Sequence, residues 1–108
     1  MMSRGQKDDL VFKALADSRR REILDLLRDF PKTTGELCDH FKKVDRCTVM
    51  LHLGILEKAG LVIAKKEGRN RWNYIDSLPI KKIYDRWISK YASGAVNLLS
   101  EMKRQLDR

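Results

Sequence analysis

Residues 33–60, TTGELCDHFKKVDRCTVMLHLGILEKAG, contain two short helical patterns on either side of a basic turn. Thr33 and Glu36 have the T-x-x-E spacing of a capping box, in which each side chain satisfies a free amide at a helix start. The helix they open puts Leu37, Cys38 and Phe41 on one side. Lys42-Lys43-Val44 makes the turn, and Asp45 can cap the next helix, expected over residues 45–59. That helix turns Val49, Leu53 and Leu56 inward, and Gly60 is its C-terminal stop.

Toward the C-terminus the apolar period changes. Leu61 to Glu67 and Arg71 to Asp76 are rich in β-branched and aromatic residues and predict two strands, with Gly68-Arg69-Asn70 as their turn. Ser77 and Pro79 then open a long helix over residues 79–106. Ile80, Ile83, Trp87, Tyr91, Ala95, Leu98, Met102 and Leu106 keep helical spacing along it. At 1.5 Å per residue it would be about 42 Å long, with Gly94 as a loosening point midway.

Toward the N-terminus, Leu10, Val11, Ala14 and Leu15 predict a short helix after Asp8-Asp9. Asp17 or Ser18 caps a second helix, which runs through Ile23, Leu24, Leu26, Leu27 and Phe30 to a stop at Pro31. The whole is one domain over residues 1–108, mainly α with a small β-hairpin. The third and fourth helices have the proportions of a helix-turn-helix, and the hairpin over residues 61–76 stands where a wing would.

In that motif the second helix lies in the major groove and its early residues meet base edges. Lys43, Arg46, Cys47, Thr48, Met50, Leu51 and His52 are the candidate contacts from the helix and its turn. Lys65, Lys66, Arg69, Asn70 and Arg71 are those from the wing, whose basic tip suits phosphate or minor-groove contact. The bulk charge agrees: 23 Lys and Arg against 15 Asp and Glu give +8, and such a field attracts polyanions. No apolar run reaches the roughly 18 residues that would span a bilayer. The first nine residues are polar and carry no apolar signal region, so a cytoplasmic protein is expected.

Particular residues extend the pattern. Phe12-Lys13-Ala14-Leu15-Ala16-Asp17 and then Ser18-Arg19-Arg20-Arg21-Glu22-Ile23-Leu24 resemble the opening of the ArsR/SmtB family of bacterial winged-helix repressors. Thr34-Gly35-Glu36-Leu37, Val49, His52-Leu53, Leu56 through Val62 and Glu67-Gly68-Arg69 continue the resemblance over about residues 8–80. It is nearest the branch of small autorepressors without metal ligands. The resemblance implies a homodimer formed by the first and last helices, and repression through duplex DNA at a pseudo-palindromic operator. The bacterial nucleoid would then be its place of work. Met50, Leu51 and Gly54 depart from the family's polar or basic pattern.

Several residues keep two readings. Met50 and Leu51 either touch thymine methyls or lie on a covered face. His52 either donates to a phosphate or is a packed, hydrogen-bonded helix residue. Cys38 and His40 stand where metal-sensing relatives carry a Cys-x-Cys pair, but two ligands make no site and the last helix holds no histidine. Cys38 is then a small core residue, and neither metal nor cofactor is expected. Cys47 is an inert thiol or one whose oxidation would disturb DNA contact. Arg19-Arg20-Arg21 oppose the dipole of the helix they open, and so need a phosphate or an acid such as Asp17 or Glu22. Trp72 and Tyr74 share a strand face that packs the wing on the core or stacks on bases.

The last helix carries more large side chains than one small domain can cover. Leu10, Val11, Ala14, Ile83, Tyr84, Trp87, Tyr91, Leu98, Leu99 and Met102 are therefore candidates for a two-fold, α-helical dimer interface. The sequence shows no Ser-His-Asp or Cys-His arrangement with supporting context, no phosphate-binding glycine loop and no paired carboxylates at a pocket-like position. A catalytic role and a small-molecule ligand are thus not expected. The rival to a DNA-binding repressor is a winged-helix module that uses Met50 and Leu51 to bind protein.

Overall fold

The computed structural model describes residues 1–107, and of residues 93, 95 and 96 the backbone only. The elements run α1 (Arg4–Leu15), α2 (Ser18–Leu27), β1 (Lys32–Thr33), α3 (Thr34–His40), α4 (Arg46–Lys58), β2 (Val62–Glu67), β3 (Asn70–Ile75) and α5 (Leu78–Ile83). A π-helical turn (Tyr84–Ile88) then leads into α6 (Ser89–Leu106).

The caps explain most of the boundaries. α1 starts ahead of Asp8-Asp9, because Ser3 and Gln6 make a reciprocal capping box. Asp17, not Ser18, caps α2 by accepting from the amides of Arg19 and Arg20. α2 ends at Leu27, so Phe30 lies beyond the helix and is exposed. Thr33 and Glu36 form the expected box on α3, and Asp45 accepts from Thr48 N at 2.8 Å to cap α4. Gly60, at φ +77°, closes α4 with its own amide on Glu57 and that of Leu61 reaching back to the Leu56 carbonyl. Only glycine adopts that angle without strain. At α5, Ser77 makes no side-chain cap, and Asp76 takes the Leu78 amide instead.

The sheet has the order β1-β3-β2, all antiparallel, so the hairpin gains a third strand that two residues were too short to announce. The hairpin loop is two residues rather than three: Glu67 pairs with Asn70, and Gly68 at φ +61° takes the first central position. Type II′ turns put glycine there.

The core gathers Ile23, Leu27, Leu37, Val49, Leu53, Leu56 and Leu61 between α2, α3, α4 and β2. α1 closes it with Val11 and Ala14, and α5 with Ile83. These three were expected at a dimer interface, but they are buried within the protomer, because α1 packs on α2, α4 and α5. Cys38 packs against this core, half-buried.

The Cα radius of gyration is 17.9 Å, against about 13 Å for a compact chain of this length. The excess is the helical arm, which extends away from the body and gives the molecule a longest dimension of 64 Å. The arm is helical through Gly94, and its irregularity falls at Tyr84–Ile88 instead. Ala95, part of the expected stripe, lies outside the described side chains.

Candidate nucleic-acid interface

α4 sorts its side chains by helical period. Val49, His52, Leu53 and Leu56 point inward, whereas Arg46, Cys47, Met50, Leu51 and Gly54 are exposed and Thr48 is half-buried. Met50 is 42% and Leu51 64% exposed, so neither is covered within the protomer. Nothing lies within 4 Å of where a Cβ on Gly54 would be, so the outer row is low and open.

His52 separates from the other candidates. It is only 8% exposed, and its Nδ1 lies 3.3 Å from Arg20 Nη1. An arginine only donates, so Nδ1 accepts and the hydrogen sits on Nε2, which is buried without a partner. The histidine is therefore buried on the inner side of α4 against Arg20, apart from the exposed row.

The arginine run at the start of α2 has an unanticipated partner. Arg20 donates through Nε to the Ala14 carbonyl at 2.8 Å and through Nη2 to that of Lys13 at 2.9 Å. Arg21 donates to the Leu15 carbonyl at 2.6 Å. These carbonyls lie in the last turn of α1, where cations are favoured, and that of Lys13 also accepts from the Ala16 amide. Among the described residues neither Asp17 nor Glu22 forms a salt bridge with the run; Glu22 instead meets His40 Nε2 at 2.9 Å.

The wing also divides by face. Val62, Ala64 and Lys66 alternate with Ile63, Lys65 and Glu67 along β2. Lys66 lines a groove of roughly 600 Å³ between the wing and the starts of α3 and α4, together with Gly35, Arg46, Met50, Arg69 and Asn70. Lys65 lies on the other face and meets Glu67 at 3.5 Å. Arg71 lines the groove as well, but its guanidinium is held by Glu57 of α4. Lys43 is exposed in the turn between α3 and α4.

One organising residue was missed from sequence. Asn73 is fully buried in β3, and its Nδ2 donates to the Lys32 carbonyl and to Thr34 Oγ1, each at 3.2 Å. It pins the wing to β1 and to the first residue of α3. Its only signal was a polar residue at an inward position of an alternating strand. Trp72 and Tyr74 do share a face, but they are half-buried on the side opposite Asn73, so Asn73 and Ile75, not they, seat the wing.

Both capping aspartates are shifted to low pKa. For Asp45 the cause is chiefly the Thr48 amide, with the Thr48 hydroxyl adding to it. For Asp17 burial pushes upward, and the amides of Arg19 and Arg20 outweigh it. Among the described residues no three His, Cys, Asp or Glu side chains come together to hold a metal. No helix among them is long and apolar enough to cross a membrane.

Comparison with known proteins agrees with this geometry. Residues 17–64 match the family described as "Bacterial regulatory protein, arsR family". The HTH-type transcriptional regulator YuzN of Bacillus subtilis is 35% identical over 86 residues, covering 74% of this chain and 94% of that protein. The transcriptional repressor SdpR of the same organism is 37% identical over 59 residues, 55% of this chain and 64% of its own. A crystal structure of an ArsR family transcriptional regulator superposes with a TM-score of 0.75 at 29% identity, covering 86% of this chain and 94% of its own. The chain thus belongs to the arsR family of bacterial regulatory proteins, and is a transcriptional regulator with a winged helix-turn-helix fold.

Proposed function

We propose that this regulator is a homodimeric repressor that binds duplex DNA at a pseudo-palindromic operator near its own gene, in the cytoplasm. The observation that carries the reading is the groove between α4 and the wing. Arg46, Lys66 and Arg69 surround it, and among the described residues none of the three meets a carboxylate. The capped N-terminal turn of α4 supplies the base-facing positions, and the wing cations suit the flanking phosphates. Homodimerisation rests on the arm, where Trp87, Tyr91, Leu98, Leu99 and Met102 form an exposed apolar series. Repression follows the named role of SdpR.

The test is a titration of labelled DNA from upstream of the protein's own gene, beside a scrambled duplex, at 50 and 200 mM salt. Six to ten neutralised phosphates would weaken binding by about a thousand-fold or more across that range. A preference for the upstream fragment of roughly 10³-fold or more supports a specific autorepressor. Exposed Met50 and Leu51 favour a second reading, a protein-binding winged helix, and a folded dimer that binds neither duplex would favour it over the first.

A further inference from the structure

A second cleft, of about 530 Å³, lies at the far end of α4 from the groove. Arg46 and Lys58, at the two ends of that helix, are roughly 18 Å apart at 1.5 Å per residue, so the two sites are separate. Its walls come from Met2 and α1, from the α4 terminus at Lys58–Gly60, and from α5 with the π-helical turn that follows it. Its volume falls in the range of small-molecule pockets.

The lining is one-sided in charge. Arg4, Lys7, Lys58, Lys82 and Arg86 face it, against a single carboxylate, Asp8. Asp8 is already engaged by Arg86, and among the described residues Arg4, Lys7, Lys58 and Lys82 meet no acid. Arg86 gives one nitrogen to Asp8 and leaves its Nε buried with no acceptor. Between the cations the wall is apolar, formed by Leu10, Ala59 and Pro79. Four unneutralised cations around an apolar floor match an anion that carries a hydrocarbon body. A hydrated inorganic ion would leave the floor unused, and a neutral molecule would leave the charges unused.

We propose that this cleft binds a small organic anion, an aromatic or aliphatic carboxylate, held by Lys58 and Lys82 with its apolar body against Leu10, Ala59 and Pro79. The site does not depend on the DNA-binding reading, and its test contains no DNA. The probe is naphthalene-2-carboxylate, added to the isotope-labelled full chain and followed by amide chemical shifts, beside the neutral naphthalene-2-carboxamide. Saturable shifts confined to residues 7–11, 58–60 and 79–86 with the acid, and at least tenfold weaker binding of the amide, are expected. The double variant Lys58→Gln/Lys82→Gln should raise the Kd at least tenfold, with unchanged thermal unfolding. Lys42→Gln/Lys103→Gln removes the same charge elsewhere and should leave the Kd unchanged. Equal binding of acid and amide, shifts centred on α6 or the wing groove, or equal losses in both double variants would overturn the proposal.

Discussion

Arg20 and His52 meet at 3.3 Å beneath α4, and the same guanidinium holds two carbonyls at the end of α1. One side chain thus joins the helix that closes the core to the helix that carries the candidate DNA contacts. Three acceptors in three directions need a planar fork, which lysine lacks. Arg20→Ala should therefore destabilise the protein by about 2 kcal/mol, and Arg20→Lys should recover less than half of that. Arg19, one residue away and exposed, should cost less than about 0.5 kcal/mol when changed to Ala. Urea unfolding at one fixed protein concentration separates the three variants, and equal midpoints for Arg20→Ala and Arg19→Ala would refute the assignment.

Asp45 makes α4 sensitive to acid. Its pKa is lowered from the ordinary 3.8, chiefly by the Thr48 amide, so the carboxylate is favoured in the folded state. A depressed folded value gives stability that is complete above the unfolded pKa and lost as pH falls through the folded one. Asp45→Asn keeps a capping oxygen without the charge. Its stability should change less than that of the parent as pH falls below about 4, near the ordinary carboxylate range. Thermal unfolding from pH 5 down to pH 2 measures this, and parallel curves for parent and variant would rule out the capping charge as the cause.

The arm and the body should respond oppositely to substitution. Leu98 and Leu99 are more than 60% exposed, so changing both to Asp should leave protomer folding intact while abolishing the proposed dimer. Val11 is buried in the protomer, so Val11→Ala should lower stability by about 1–3 kcal/mol. Sedimentation at micromolar concentration, beside circular dichroism, separates the two outcomes. An unchanged mass for the Leu98/Leu99 variant would place the dimer contact elsewhere or remove it.

Apolar side chains in the reading row call for apolar features on the DNA. Once an operator is defined, replacing thymine by uracil removes only the 5-methyl group. Each methyl lost opposite Met50 or Leu51 should weaken binding roughly fourfold, the equivalent of about 0.8 kcal/mol per buried carbon. The Leu51→Ala variant should lose most of that difference. Indifference to uracil at every position would show that this row does not read bases.

Where side-chain chemistry acts locally, the sequence was legible. Thr33 with Glu36, Asp45 before its helix and Gly60 after it each specify a boundary through a bond within five residues, and the structure has all three. Long-range partners were not legible. The carbonyls capped by Arg20 and Arg21 lie six or seven residues back, across a chain reversal, and the sequence suggested only that the arginines needed something negative. Asn73 bonds to residues 39 and 41 positions away, and no periodicity encodes that. Val11, Ala14 and Ile83 share the spacing of residues that a partner would cover, but spacing cannot say which neighbour buries them. In the groove, the exposed side of α4 could be read from its period, whereas Lys65 and Lys66 parted only once the strand register was known.

The π-helical turn at Tyr84–Ile88 is a difference of length held within the arm. Such a turn takes up an additional residue without breaking the helix. Each residue rotates an α-helix by about 100°. Deleting one residue there would turn the wide turn back into regular α-helix and leave Tyr91, Leu98 and Met102 near their present side of the arm, whereas a deletion within α6 would swing the residues beyond it by about that angle. In a dimer joined through the arm, a rotation of that kind within α6 would also set the angle between the two winged-helix bodies. The π-helical turn would then let the arm change by one residue while the spacing of paired half-sites stays the same.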